Sequence, residues 1–310
     1  MTAIKTIYND VDISKSIDVL RCIHEMNAEN TADSVEMIVD DTNNLWDKWK
    51  PKKGDTLSLI SANVKTGIMY IHETYQDNAR FVLNASTMPV NAKQKNSKAW
   101  QDVRFLQMGK EIAEKQGLRF MSYGVNDVKF AYKLQNNEHD FKFLSRICTL
   151  EGCSFLIYDG TLVIYNENAM ELKEPTDIIN LIDDSMFRLF DNSGSLYGSC
   201  KVIKGDYKAA YKNKSGLSAV YIPDMQFNVS SSAEANRCAK NLLRHANKGA
   251  YTGYVRYKEI LKANIPGAVF EIQGYKVPSW NGPVFVTKVR NDYINDRSKV
   301  FFRRTLGGEY

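Results

Sequence analysis

Much that would point to chemistry is missing from this 310-residue chain. It has four histidines and five cysteines. The cysteines, Cys22, Cys148, Cys153, Cys200 and Cys238, are odd in number and irregular in spacing, which excludes the disulfide framework of a small secreted scaffold. No apolar run approaches ~20 residues, so no membrane-spanning helix is expected. The opening MTAIKTIYNDVDIS lacks the apolar centre of a secretory signal, so synthesis in a cytoplasm without a leader is expected. Charge of one sign is not in excess: 41 Lys and Arg face 36 Asp and Glu, a net charge of +5. The basic residues are scattered, with short clusters at 48–53 and 303–304 that read as solvated faces. A dedicated nucleic-acid binder shows a concentrated basic stripe, and none is visible in the sequence, so specific nucleic-acid binding is not expected.

What is present is ordinary globular composition, 44% hydrophobic and 25% charged, which argues against disorder. At ~100–200 residues per domain the length suits two or three domains. The first ~90 residues read as strands spaced about ten apart with turn signals between them, the signature of a sandwich or barrel. Strands are predicted over 56–60, 66–75 and 79–85. The segment DTNNLWDKWK (41–50) is a helical turn capped by Asp41 or Thr42, with Leu45, Trp46 and Trp49 on one face. Those tryptophans are either a plug over a barrel mouth or an exposed anchor for a partner.

From Ser97 the texture changes. Trp100, Val103, Leu106, Ile112 and Ala113 recur near helical period, which predicts a helix starting at Ser97 and stopping at Gly117. A second helix is predicted over 137–150, with Phe141, Leu144, Ile147 and Cys148 on one stripe. Two strands at 153–158 and 161–165 flank Asp159-Gly160, the strongest short hairpin signal. Strands return after ~186, interrupted by one amphipathic helix at about 230–248 with the stripe Ala235, Cys238, Ala239, Leu242 and Leu243. Further strands are predicted over 251–257, 268–272, 284–291 and 299–304. The expected organisation is a first barrel-like domain at 1–96, a small α/β domain at 97–185, and a second barrel-like domain at 186–310 that carries the 230–248 helix.

No catalytic pattern emerges. Cys148 and Cys153 could be a metal site, a redox pair, a disulfide or core. No second pair at zinc-ribbon spacing exists and no CxxC occurs, so packing is the favoured reading. His24, His72, His139 and His245 fall on separate elements without a ligand partner three or four residues away. No HExxH, GxSxG or Walker loop is present. The acidic pairs Asp40–Asp41 and Asp183–Asp184 are adjacent in sequence, so in a strand they point to opposite faces, whereas a glycosidase needs facing carboxylates. No catalytic residue, metal or cofactor is expected. A peptidoglycan hydrolase or cell-wall binder is the alternative reading.

Three stretches carry a resemblance. One is GDTLSLISANVKTGIMYIHETYQDNARFVLNASTMP. The second is AWQDVRFLQMGKEIAEKQGL followed by NEHDFKFLSRICTLEGCSFLIYDGTLVIY, where Asp140, Phe143, Leu144, Arg146, Ile147, Gly152, Phe155, Asp159, Gly160 and Leu162 match the pattern D-x-x-F-L-x-R-L…G…F-x-x-x-D-G-x-L. The third is SAEANRCAKNLLRHANKGAYTGYVRY with IPGAVFEIQGY and GPVFVTKVRNDY. In this order they resemble the late control gene D family of contractile-tail phages, tailocins and related injection machines, kin to the hub part of the type VI secretion spike protein. The likeness covers most of 54–305. One departure is Asn291, where relatives often place a histidine.

The resemblance implies an α+β, mostly β chain with two barrel-like, tube-type domains flanking a small α/β domain. It implies a non-enzymatic baseplate hub, a homotrimeric ring that adapts a hexameric tail tube to a trimeric spike in a virion or tailocin particle. Its implied partners are the tube protein, the spike protein, other baseplate proteins and a tape-measure protein, with no membrane anchor of its own. Interface candidates are Trp46, Trp49 and Trp280, the last on the loop-like YKVPSWNG, where a buried core position is the competing reading.

Overall fold

The computed structural model describes residues 4–61, 64–182 and 186–310. The pair Asp183–Asp184 lies outside the described residues. Most of the chain is strand, with five α-helices among the described residues: α1 (Leu45–Trp49), α2 (Phe105–Lys115), α3 (Asp140–Leu150), α4 (Glu167–Glu171) and α5 (Ser232–Asn247).

Thirteen strands join in one sheet. Its main run starts at Phe187–Asp191 and passes through Tyr251–Tyr257, Arg297–Arg304 and Gly282–Asp292. It then crosses to Val19–Asn27, Ser34–Asp40, Arg80–Ser86 and Met69–Asp77. The crossing is an antiparallel pairing that sets Arg290 opposite Glu25 and Asn291 opposite His24. The first and last thirds of the chain thus share one sheet. The strand path is open, ending at Phe187–Asp191 on one side and Val11–Asp12 on the other, and no closed barrel forms among the described strands.

One face of this sheet is apolar along its length. At the N-terminal end Met37, Val39, Leu57, Met69, Ile71 and Leu83 pack with Trp46 of α1. Trp46 is 1% exposed; its ring stacks on Phe81 at 5.0 Å and meets the edge of Trp49 at 5.1 Å. At the C-terminal end Val255, Phe270, Ile272, Val286, Val289, Val300 and Phe302 form the matching core.

The α/β unit has a core of its own. The strand Lys95–Arg104 pairs with Lys129–His139 as a two-stranded ribbon. Residues 97–104 are therefore strand, not the start of a helix; α2 begins at Phe105 and ends before Gly117, which takes the left-handed φ of +72° expected of a C′ stop. Asp102 between Trp100 and Val103 has φ +51°. That left-handed residue breaks the period-2 alternation, so both apolar side chains turn inward three residues apart, a spacing that imitates a helix. Beyond the ribbon, α3 leads into the hairpin Cys153–Tyr158 and Thr161–Asn166. Asp159 (φ +45°) and Gly160 (φ +67°) make the turn, the two positive values a type I′ hairpin requires. The strand Arg119–Tyr123 joins parallel to Thr161–Asn166. Gly109 of α2 lies so close to this sheet that a Cβ there would meet Ile164 Cδ1 at 2.6 Å.

Helix α5 belongs to this unit. Its stripe Ala235, Cys238, Ala239, Leu242 and Leu243 is buried in one core with α2, α3, the hairpin and the strands Ser199–Lys204 and Tyr207–Lys212. This corrects the expected placement of the helix in the C-terminal strand domain. Its polar residues explain the choice: Glu234 meets the buried Lys133 of the ribbon at 2.5 Å, and Arg237 meets Glu151, beyond the end of α3, at 2.6 Å. Two buried charges would go unpaired anywhere else. At its start the Ser231 hydroxyl accepts from Glu234 N–H at 3.1 Å as the N-cap.

Truncating the plug, Trp46→Ala, should cost about 3–5 kcal/mol of stability, read as a lower urea midpoint. A midpoint unchanged from the parent would mean α1 is peripheral.

Candidate assembly interface

The sequence-predicted anchors fall in different settings. Trp46 is core. Trp49 is half-buried against it. Trp280 is half-buried on its loop, edge-on to Tyr251 at 6.0 Å, with the Arg304 guanidinium 5.0 Å from its ring. The three are not brought together in one patch. The fourth tryptophan, Trp100, is buried and stacks on Phe143 at 6.0 Å.

The candidate chemical groups are similarly dispersed. All five cysteines are buried and free. Burial pushes the Cys153 thiol up to about 12 and the Cys148 thiol well above its ordinary value, so neither is a ready nucleophile. His24 is fully buried, its Nδ1 2.9 Å from the Tyr293 hydroxyl, and burial lowers it to about 3. His72 Nε2 lies 2.8 Å from the Met88 carbonyl. Among the described residues no three His, Cys, Asp or Glu side chains converge as a metal site would require.

What the fold does assemble is a buried ion cluster that sequence reading missed. Arg303, 2% exposed, lies on the edge of the α/β unit where the sheet meets it. Its Nη2 is 2.7 Å from Glu171 Oε1 and 3.0 Å from Glu29 Oε1, and its Nε donates to Glu29 at 3.0 Å. Arg244 of α5 approaches the same Glu171 oxygen at 2.6 Å. Lys248, just past α5, bridges Glu29 and Glu167 at 3.0 Å each. Ser154 donates to Glu167 at 2.5 Å, and Leu306 N–H donates to Glu171 at 2.8 Å. The Arg244 and Arg303 contacts to Glu171 are close ion pairs without the angle of a hydrogen bond. Phe285 forms the floor, 4.7 Å beneath the Arg303 guanidinium.

Three cations and three carboxylates thus balance inside the protein. They come from the loop after the strand Val19–Asn27, from α4, from the end of α5 and from the strand Arg297–Arg304. The same loop grips the hairpin directly: Asn30 N–H donates to the Phe155 carbonyl at 2.9 Å, and Phe155 N–H donates back to Asn30 Oδ1 at 3.0 Å. Burial alone would raise Glu167 and Glu171. Lys248 and Arg303 beside the first, and Arg303 and Arg244 beside the second, outweigh it and hold both carboxyls below the ordinary value.

The outer boundaries of the sheet are the second feature. The strand Phe187–Asp191 is paired on one side only, with Tyr251–Tyr257. At the other end of the eight-strand run, Met69–Asp77 pairs fully with Arg80–Ser86. Its second side is engaged only near Met69–Ile71. Residues 73–77 and 187–191 are therefore two open edges of equal length. Phe190 on one is 45% exposed and Tyr75 on the other 48%. Long exposed edges are normally covered or paired.

This fold occurs in solved tail proteins. The chain aligns over 97% of its length, and 96% of the other's, with a tail protein from Neisseria meningitidis at TM-score 0.75 and 11% identity. A 43 kDa prophage tail protein from Shewanella oneidensis matches at TM-score 0.74 and 10% identity, covering 98% of both chains. A component of the E. coli type VI secretion system, itself described as structurally similar to T4 bacteriophage tail proteins, matches at TM-score 0.62 and 14% identity, covering 95% of this chain and 75% of that one. At these identities the likeness is one of fold. No protein-family model and no curated protein sequence matches the chain. No helix among the described residues is long and apolar enough to cross a membrane.

The ion cluster sets a pH dependence. Carboxyls held below their ordinary 4.5 add stability that is complete above that value and lost as pH falls through the folded-state value. Glu171→Gln should cost about 3–5 kcal/mol at neutral pH, since it takes the carboxylate from the buried Arg244 and one of the two from Arg303, and should flatten the fall in stability below pH 4.5. Urea midpoints measured from pH 3 to 7 test this. Parallel curves for the variant and its parent would exclude Glu171 as a source of the acid sensitivity.

Proposed function

We propose that this chain is the baseplate hub of a contractile injection particle. In this reading it is a non-enzymatic ring of three copies that joins a hexameric tail tube to a trimeric spike. The strands of 1–96 and those of 186–310 that join the large sheet supply two tube-type halves of each copy, so three copies present six to the tube. The neighbours are the tube protein, the spike protein, other baseplate proteins and the tape-measure protein, in a phage tail, a tailocin or a related machine.

The observation that carries the reading is the pair of open edges at opposite ends of one eight-strand run. Joining edge 187–191 of one copy to edge 73–77 of the next is a head-to-tail contact, and such contacts generate closed rings when the rotation permits. Closure covers both edges at once. The near full-length fold likeness to tail proteins supports the setting, and the resemblance to the late control gene D family supports the count of three.

Light scattering of the purified protein, with negative-stain images of the same sample, tests this. Three chain masses and a ring with a central hole are expected. A monomer that persists after co-expression with tube and spike proteins would overturn the hub, and zymography on bacterial cell walls would then test the hydrolase alternative.

A further inference from the structure

The basic residues look scattered only in sequence. The fold gathers six of them on the sheet face opposite the C-terminal apolar core. Arg256 lies directly opposite Lys299, and Lys299 directly opposite Arg290, on three neighbouring strands. Arg188 and Lys288 occupy the next row, through Tyr254 and Phe301, and Arg297 the row on the other side. The carboxylates beside these cations are Glu25 and Asp292; Glu36, one strand further along the face, is paired with Arg21 at 3.3 Å, which leaves the balance unchanged. Glu25 bridges Lys288 at 3.2 Å and Arg290 at 3.4 Å. Asp292 is occupied by its own turn, accepting from the Ile294 and Asn295 backbone and the Asn295 amide. Six cations against two carboxylates leave a surplus of four, most of the chain's net +5. Like charges directly opposite one another destabilise a sheet. Here burial and the neighbouring Arg256, Arg290, Lys288 and Arg188 hold the Lys299 ammonium below its ordinary value. The repulsion is built in: Lys299 is seated on the rings of Tyr254 (3.6 Å) and Phe301 (4.5 Å), which fix it beside its neighbours.

We propose that this face binds the phosphate backbone of a nucleic acid, without regard to sequence. Cations one strand apart, at about 4.8 Å, form a row along which a polyanion can lie. Four of the six are arginines, whose planar forks suit phosphate oxygens. Base recognition is not implied, because the face is flat and its aromatic rings are capped by the cations. The inference goes beyond the hub reading and needs only the folded chain.

Fluorescence anisotropy with labelled single- and double-stranded DNA 20-mers of unrelated sequence, at 50–200 mM salt, tests it, with poly-glutamate as competitor. Binding should be independent of sequence. With about four phosphates neutralised, the plot of log affinity against log salt should have a slope of about −3 to −4. The double variant Arg256→Gln/Lys299→Gln should lose tenfold or more in affinity at 50 mM salt and shallow the slope by about two. Its assembly mass should stay unchanged, which separates loss of binding from loss of the ring. Lys52→Gln/Lys53→Gln, away from the face, should change neither. No binding at 50 mM salt, a slope unmoved by the Arg256/Lys299 pair, or equal losses in the control variant would overturn the proposal. Tighter binding of poly-glutamate than of DNA at matched charge would overturn it in favour of an acidic protein segment.

Discussion

The Arg303 guanidinium is the point on which the arrangement of this chain depends. Buried charges are costly to desolvate and are tolerated only where partners are placed well. Arg303 finds its partners in Glu29 and Glu171, one brought by the N-terminal strands and the other by the α/β unit, while Arg244 and Lys248 bring the end of α5 to the same carboxylates. An apolar contact at this position could slide. An ion cluster whose charges cancel has few solutions, so it fixes the α/β unit against the sheet. Hydrophobic burial supplies the bulk of the stability, and the cluster fixes orientation.

That fixed orientation matters because the sheet is continuous. Apolar residues on one face bind the first and last thirds of the chain into a single run, joined where Gly282–Asp292 pairs with Val19–Asn27. At the seam, His24, Asn291, Ser298 and Tyr293 are buried polar residues, an unusual place for polarity. Burial holds His24 neutral near neutral pH. Asn291 sits directly opposite His24. In the proposed ring, the geometry between the two open edges of this run decides whether the ring closes.

The sequence was most legible where local signals are strong. The Asp159-Gly160 hairpin, the Gly117 stop and the amphipathic helix near 230–248 all form as their residues predict, because backbone sterics and the apolar stripe act over a few residues. Residues 97–104 were misread because Asp102 imposes a left-handed kink that gives a strand a helical spacing. The placement of α5 and the single sheet were hidden for another reason. They depend on partners far apart in sequence, such as Lys133 with Glu234 and Arg303 with Glu29. The basic face was hidden in the same way, since Arg256, Lys299 and Arg290 become neighbours only through strand register. Of the tryptophan candidates, Trp46 is in the core, because a large ring beside Phe81 fills the space under α1.

Ring closure can be probed at the edges themselves. Exposed cysteines introduced together as Tyr75→Cys and Phe190→Cys, one on each open edge, would be joined by a short bismaleimide; the five native cysteines are buried and stay unreactive. A denaturing gel should then show one, two and three linked chains and stop at three. A chain that never links, or a ladder that continues past three, would contradict the head-to-tail ring.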